Sequence, residues 1–230
     1  MQREITRELV RRLLPERMAE SNKGSYGSVL AAAGSMAYRG AAALCTEGAL
    51  RGGAGLVVSG QRRACYPAGA FPHAGMLRLR LPHGGQRGIH PQDATRCAAG
   101  SRTGTPFCWP GPGWGDAADV CKALLGRNAP WAGAVLDADA LNALAAGKYK
   151  GDLPANTILT PHPGEAARLL GLTVPEVQAD REGAAVSLAE KYHCVAVLKG
   201  HHTLVAAPDG TVWRNETGNA GLAKGGSGIF

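Results

Sequence analysis

Short apolar segments alternate with longer segments of helical periodicity along this chain, and this alternation restricts the fold more than any other feature. The short segments are rich in Val, Leu and Ala, and polar residues or Gly follow them. Strands of a parallel sheet have this composition, because helices cover both faces of such a sheet. The alternation therefore predicts an α/β fold with a mostly parallel central sheet and helices on both faces. The predicted strands are residues 29–33, 56–59, 134–136, 157–160 and 194–198.

Helical segments separate these strands. Their apolar residues recur at the spacing of a helix with one buried face, and Pro163 suits the first position of a helix. Near the end of the chain, Pro208-Asp209-Gly210 predicts the turn of a hairpin between residues 203–207 and 212–215. The predicted helices are residues 3–17, residues 40–51, a short helix that ends at Leu144, residues 163–170 and residues 176–192.

Composition indicates one domain of a cytoplasmic protein. The chain has 230 residues, of which 45% are hydrophobic, so we expect a single domain over residues 1–230. Six cysteines include no C-x-x-C pair, which disfavours a zinc site or a disulfide framework and favours reduced thiols. No apolar run approaches the ~20 residues that a membrane-spanning helix needs. The net charge is +7, but Lys and Arg are scattered, which favours an anionic small molecule over a nucleic acid as partner.

Polar clusters follow several of the predicted strands. Each cluster alone is explained as well by a helix cap or a turn, with Asp139 as an N-terminal charge and His162 as a loop histidine. Several clusters at strand ends favour a ligand site, because the carboxyl ends of parallel strands share one edge of the sheet. The clusters are Gly34-Ser35, Asp137-Ala138-Asp139, residues 160–165 and Lys199-Gly200.

A glycine-rich segment ends the sequence. Residues 219–228 include Gly225, Gly226, Ser227 and Gly228. Glycines allow backbone N–H groups to approach an anion closely, and a helix that follows adds partial positive charge. This segment therefore predicts a phosphate site.

Seven motifs in order resemble the ADP-dependent NAD(P)H-hydrate dehydratases, a carbohydrate-kinase-like family that repairs hydrated nicotinamide cofactors. The resemblance covers the chain apart from about residues 64–109. It implies a ribokinase-like fold and an enzyme that removes water from the S epimer of hydrated NADH or NADPH while ADP is converted to AMP and phosphate. The matching motifs are residues 23–27, 33–42, 51–57, 111–115, 137–142, 159–169 and 197–203.

The resemblance also implies roles for individual residues. Ala41, Gly113 and His162 would contact the hydrated dinucleotide. ADP, or ATP in its place, is expected with Mg²⁺, for which Asp137 and Glu165 are candidate ligands, although helix capping explains both as well. A homo-oligomer, by resemblance a tetramer, is expected. The residues expected to hold the adenine nucleotide are Lys199, Gly200, His201, His202, Thr203, Gly225, Gly226, Ser227 and Gly228.

The sequence departs from the family at Ile229. The family has an Asp there, whose carboxylate would accept the proton of the substrate hydroxyl. Ile accepts no proton, so no catalytic residue is assigned, and we expect this chain to bind its ligands without turnover. We hypothesise that the ending, which is truncated before the helix that the family has after Gly228, reflects a reading-frame artefact or a disrupted gene.

A second departure precedes Gly111. The family has an aliphatic strand there, whereas residues 104–109 have no strand pattern. We hypothesise that part of residues 64–109 is frame-shifted and ends near Trp109, and this hypothesis predicts that the chain lacks a central strand. The alternative is a surface loop rich in Gly and Pro.

Two other functions stay open at this point. One is an ATP-dependent kinase of the same fold that acts on a vitamin precursor or a sugar, and it would share the glycine-rich end. The strings at residues 137–142 and 160–165 argue against it. The other is a nucleotide-binding remnant without catalysis, which Ile229 favours.

Overall fold

In this computed structural model, the strands of the described residues form one sheet of ten, with the order β1-β10-β9-β8-β7-β6-β5-β2-β3-β4. The structure describes residues 3–35, 37–38, 40–62, 76–81, 106–111, 117–125 and 131–226. The strands are β1 Arg3–Glu4, β2 Ser28–Ala32, β3 Leu56–Arg62, β4 Met76–Leu81, β5 Pro106–Pro110, β6 Gly133–Leu136, β7 Asn156–Leu159, β8 Val195–Leu198, β9 Thr203–Ala206 and β10 Val212–Asn215.

Strands β2 to β8 pair in parallel. Strand β9 is antiparallel to both β8 and β10, which confirms the predicted hairpin. Because β2 to β8 share one direction, their carboxyl ends lie along one edge of the sheet, which we call the carboxyl edge. The α/β fold with a mostly parallel sheet is thus confirmed.

Two predicted helices match the structure at both ends, namely α2 and α5. The predicted helix over residues 176–192 is wrong, because two helices cover this segment and Asp180 separates them. The Asp180 side chain accepts the N–H of Gly183 and so begins a new helix. The helices are α1 Arg7–Leu13, α2 Gly40–Arg51, α3 Ala118–Leu125, α4 Asp139–Ala145, α5 Pro163–Leu170, α6 Val174–Ala179 and α7 Arg181–Tyr192.

The first predicted helix is also shorter than expected. Arg3 and Glu4 pair with β10 as a strand. Helix α1 begins only after Thr6, whose side chain accepts the N–H of Leu9. Pro15 lies directly beyond the C-cap Leu14 and disfavours a continuation of the helix there.

Strand β5 contradicts the expectation that a central strand is missing. Residues Pro106–Pro110 pair with β2 on one side and with β6 on the other. Proline disrupts a strand interior because it lacks an N–H, but here the prolines stand at the two ends of the strand. Between them, Cys108 is fully buried. A pattern without aliphatic residues therefore still forms a central strand.

Two apolar clusters cover the sheet. The larger cluster packs α3, α4, α5 and α7 against β5 to β9 and includes Leu136, Leu141 and Leu188. The smaller cluster packs α2 against β2 and β3 and consists mainly of small side chains. No helix in the described part of the chain is long and apolar enough to cross a membrane. The buried residues of the smaller cluster are Ala31, Ala33, Ala42, Cys45 and Val57.

The cysteines that the structure describes are buried and form no disulfide with one another. Burial raises the pKa of the Cys194 thiol to about 12. Burial and the nearby charge of Asp137 raise the pKa of the Cys45 thiol well above its ordinary range. Burial thus favours the protonated form of the Cys45 and Cys194 thiols near neutral pH.

Candidate functional site

A partly buried ion pair lies at the carboxyl edge, between the ends of β6 and β8. The ammonium Nζ of Lys199 is 2.7 Å from Oδ1 of Asp137. Asp137 is only 3% exposed. A carboxylate this deeply buried needs a charged or hydrogen-bonding partner. Asp137 and Lys199, which the sequence predicts in one site, are thus in direct contact.

Backbone hydrogen bonds join the segments that follow β6, β7 and β8. The N–H of Lys199 donates to the carbonyl of Pro161 at 2.8 Å, and the N–H of Thr160 donates to the carbonyl of Leu136 at 3.1 Å. The hydroxyl of Thr160 donates to the same Leu136 carbonyl at 3.2 Å. Because Pro161 directly precedes His162, these bonds bring the candidate dinucleotide residue and the Asp137–Lys199 pair to one place.

The turn after β6 has an unusual backbone. Ala138 has φ 50° and ψ −110°, which a residue with a Cβ rarely adopts. Gly111 lies against this turn with φ +131°, and a Cβ at Gly111 would collide with the carbonyl oxygen of Asp137. Strained backbone concentrates at functional sites, where the surrounding structure holds it. Glycine at position 111 therefore lets the end of β5 pack onto the segment that carries Asp137.

His162 is the N-cap of α5 and not merely a loop residue. Its Nδ1 accepts the N–H of Gly164 at 3.0 Å and that of Glu165 at 3.3 Å. A ring nitrogen that accepts hydrogen bonds carries no proton, so the neutral ring is assigned its proton at Nε2. The spacing of His162 and Glu165 is that of a capping box, a signal that is present in the sequence.

Glu165 fixes the orientation of His162. Its Oε2 accepts the backbone N–H of His162 at 2.8 Å, and its Oε1 is 3.4 Å from Nε2 of the same residue. The carboxylate is buried, whereas the His162 side chain is 51% exposed. Glu165 therefore holds the imidazole on its buried side, and the exposed side of the ring is open to a ligand.

Asp137 and Glu165, the candidate Mg²⁺ ligands, do not belong to a cluster of metal-binding side chains among the described residues. Among the described residues, no group of three His, Cys, Asp or Glu side chains could hold a metal ion. Asp137 contacts Lys199, and Glu165 contacts His162. Helix capping accounts for Glu165 fully, and Asp137 is the stronger candidate of the two.

The segment that leads from β8 into β9 contains the other predicted nucleotide residues. Gly200 has φ +140°, and its carbonyl accepts the hydroxyl of Thr203 at 3.0 Å. The rings of His201 and His202 lie 3.8 Å apart, centre to centre, and both residues are exposed. The guanidinium of Arg181 lies against Gly200. Sequence reasoning missed Arg181, because it begins a helix and no motif marks it.

Helix α2 and the glycine-rich segment meet beside this edge. Ala41, in the first turn of α2, is 9% exposed. Gly226 has φ +86°, and a Cβ there would come within 2.9 Å of Leu44, which lies one turn further along α2. Gly225 is exposed next to it. The remaining predicted site residues, which are Gly113, Ser227, Gly228 and Ile229, lie outside the described residues.

Comparison with known proteins identifies the family and the fold. The family model described as NAD(P)H-hydrate dehydratase matches residues 29–228. A crystal structure of the Bacillus subtilis ADP/ATP-dependent NAD(P)H-hydrate dehydratase, co-crystallized with ATP/Mg²⁺, superimposes with a TM-score of 0.77 at 36% identity and covers 99% of this chain and 77% of that one. A ribokinase-like superfamily protein from Enterococcus faecalis shares the fold with a TM-score of 0.77 at 21% identity.

Curated relatives agree in sequence. The ADP-dependent (S)-NAD(P)H-hydrate dehydratase of Bacillus subtilis is 38% identical over 97% of this chain and 76% of its own length. The bifunctional NAD(P)H-hydrate repair enzyme of Moorella thermoacetica is 40% identical over 97% of this chain, which spans 42% of that protein. These matches and the ribokinase-like architecture confirm the resemblance drawn from the motifs. The chain belongs to the NAD(P)H-hydrate dehydratase family.

Proposed function

We propose that this chain has the site of an ADP-dependent hydro-lyase. Its substrate would be the S epimer of NADHX or NADPHX, the hydrated forms of NADH and NADPH. The observation that supports this most is the junction at the carboxyl edge, where Lys199 contacts Asp137 and is hydrogen-bonded to Pro161, next to His162. A cation for phosphate and a fixed imidazole are thus carried by two segments that are hydrogen-bonded to each other at one edge of the sheet. The proposed reaction needs a site for each ligand, because a phosphoryl group passes from the bound nucleotide to the hydroxyl of the bound dinucleotide.

The adenine nucleotide would bind at residues 199–203 and the glycine-rich segment. The ammonium of Lys199 would bind phosphate oxygens, and the amides of residues 225–228 would stabilise charge on the phosphoryl group during transfer. The exposed backbone of Gly225 and the approach of Gly226 to Leu44 fit this role. ADP is the expected nucleotide, and ATP is the alternative.

Mg²⁺ would be held through Asp137. Magnesium binds proteins through one or two carboxylates and takes its other ligands from phosphates and water. A single buried carboxylate beside the phosphate-binding Lys199 fits that pattern. When bound, the ion neutralises charge on the nucleotide phosphates. Lys199 would then exchange Asp137 for a phosphate oxygen, so that both groups keep a partner of opposite charge.

The hydrated dinucleotide would bind next to His162, Ala41 and Gly113. With Nδ1 engaged by the α5 cap and Nε2 3.4 Å from Oε1 of Glu165, His162 would offer the exposed face of its ring to the ligand. Transfer of a phosphoryl group from ADP to the substrate hydroxyl converts a poor leaving group into phosphate, and AMP departs. That transfer needs a base for the hydroxyl proton. Ile229 supplies none, so slow or absent turnover is expected of this chain.

Location and assembly stay predictions. We expect a cytoplasmic protein that forms a homotetramer, with residues 1–230 as one domain, and no nucleic-acid partner. The small-molecule kinase and the remnant without catalysis are the functions against which the proposal is tested.

Equilibrium binding tests the proposal, because it needs no turnover. Calorimetry with ADP plus Mg²⁺ and with NADHX should detect both ligands. Lys199→Ala should weaken ADP binding at least about 10-fold, since a charged hydrogen bond to phosphate is lost, and leave NADHX binding nearly unchanged. His162→Ala should have the opposite selectivity. Binding of a vitamin precursor or a sugar in place of NADHX would contradict the proposal.

A further inference from the structure

Arg181 reaches from the first turn of α7 to the end of β8. Its guanidinium donates to the carbonyl of Leu198 at 3.4 Å and to the carbonyl of Lys199 at 3.5 Å. A further N–H donates to the side chain of Gln178 at 3.1 Å. The two carbonyls belong to the consecutive peptides that lead from the sheet into residues 199–203. Arg181 therefore contacts the backbone of the proposed nucleotide segment and not its side chains.

The placement of Arg181 is unfavourable for a cation. The residue is half-buried, and burial lowers its pKa. It stands in the first turn of a helix, where the helix dipole disfavours positive charge. Among the residues that the structure describes, no carboxylate forms an ion pair with it. Its described partners are two neutral carbonyls and one side-chain amide. We therefore look for its role in the position of the backbone that it contacts.

The geometry of the two peptides between Leu198 and Gly200 shows how Arg181 orients their N–H groups. In a trans peptide, the carbonyl of one residue and the N–H of the next point in opposite directions. The carbonyl of Leu198 faces Arg181, and accordingly the N–H of Lys199 points the other way, to the carbonyl of Pro161. By the same rule, the Lys199 carbonyl that faces Arg181 turns the N–H of Gly200 away from Arg181. In the described part of the chain, that N–H has no acceptor.

Gly200 also allows the guanidinium to approach. A Cβ at Gly200 would lie 3.0 Å and 3.1 Å from the two terminal nitrogens of Arg181. Its φ of +140° is one that residues with a side chain rarely adopt. Position 200 thus requires glycine for two reasons, and one of them is Arg181.

We propose that Arg181 is a positioning residue for the adenine nucleotide: it holds the carbonyls of Leu198 and Lys199 so that the N–H of Gly200 is presented to a phosphate oxygen. The inference rests on the proposed function in that residues 199–203 bind the nucleotide. Arg181 itself does not contact the phosphate. Its effect is confined to the nucleotide and does not extend to the dinucleotide.

Variants at Arg181 separate positioning from charge. Arg181→Met should weaken binding of ADP plus Mg²⁺ about 10-fold in calorimetry, the effect of one lost hydrogen bond to an anion, and leave NADHX binding unchanged. Arg181→Lys should restore little, because its side chain is shorter and its single nitrogen cannot replace both Nη2, which donates to the two carbonyls, and Nη1, which donates to Gln178. Arg51→Met, which breaks an exposed ion pair with Glu47 in α2, is the control and should bind like the parent chain. Unchanged ADP affinity in Arg181→Met, or full recovery in Arg181→Lys, would overturn the proposal.

Amide hydrogen exchange of the ligand-free protein tests the same inference without a nucleotide. Arg181→Met should speed exchange at Lys199, whose N–H is bonded to Pro161, and Arg51→Met should not. Unaltered exchange at Lys199 in Arg181→Met would sink the positioning role. A different outcome is that Arg181→Met speeds exchange at Lys199 while the parent chain does not bind ADP. That outcome would refute the proposed function and leave the backbone role of Arg181 standing.

Discussion

The indole N–H of Trp109 is buried and has no acceptor among the residues that the structure describes. Trp109, a residue of β5, packs against the smaller cluster. An unpaired buried donor costs about 1–3 kcal/mol, because it gives up its hydrogen bond to water. Trp109, two residues before Gly111, is therefore a weak point in the packing of β5.

Trp109→Phe should raise the free energy of unfolding by about 1 kcal/mol, since the ring is largely kept and the unpaired donor is removed. Urea unfolding measures the change. Trp131→Phe is the matched control, because the Trp131 indole N–H donates to the Leu124 carbonyl at 2.6 Å. That variant should lower the free energy of unfolding by about 1 kcal/mol. Equal losses in the two variants would show that ring volume, and not the donor, decides the outcome.

Capping boxes begin two consecutive helices, α5 and α6, and only one of them contains a proposed ligand residue. In α5 the box joins His162 and Glu165, and in α6 it joins Thr173 and Glu176. The hydrogen bonds of Thr173 lower the pKa of the exposed Glu176 carboxyl. The chain thus provides an internal comparison between a cap at the site and a cap away from it.

Glu165→Gln should loosen the His162 ring, because an amide NH₂ would face the Nε2–H. We expect the affinity for NADHX to fall about 10-fold. The free energy of unfolding should fall by about 1 kcal/mol, the usual contribution of a helix cap. Glu176→Gln is expected to have a similar or smaller effect on stability and none on NADHX binding. If both variants bind NADHX like the parent chain, Glu165 does nothing for the site beyond capping.

Several elements could be predicted from sequence because a local signal marks each end. Pro163 and the left-handed Gly171 bound α5, and apolar runs mark β2, β6, β7 and β8. Strand β5 was missed because prolines stand at both of its ends and it contains no aliphatic residue. The break at Asp180 was missed because helical periodicity continues across it, although Asp180 and Gly183 have the spacing of a cap.

The candidate site could be predicted only as a set of strand ends. Parallel topology brings Asp137, His162 and Lys199 to one edge, and that follows from the sequence. The contact between Asp137 and Lys199 spans 62 positions, so no local pattern reveals it. Arg181 contacts backbone carbonyls. Every residue has one, so no sequence motif marks this contact.

At the scale of the whole molecule, the parallel sheet gathers groups from distant segments, and the charge of the chain suits what they would bind. Both proposed ligands are anionic, and a net charge of +7 favours their approach. The central claim is that the carboxyl edge is a nucleotide-dependent dehydratase site and that Ile229 stands where the family has its base.

The most direct test is ADP-dependent recovery of NADH absorbance from purified NADHX. It is run on this chain and on a version with Asp in place of Ile229, followed by the corresponding C-terminal residues of the Bacillus subtilis relative. We predict that the restored version forms NADH, AMP and phosphate, and that the chain with Ile229 binds ADP and NADHX without forming them. A restored version that is folded and binds ADP, yet forms no NADH, would contradict the assignment.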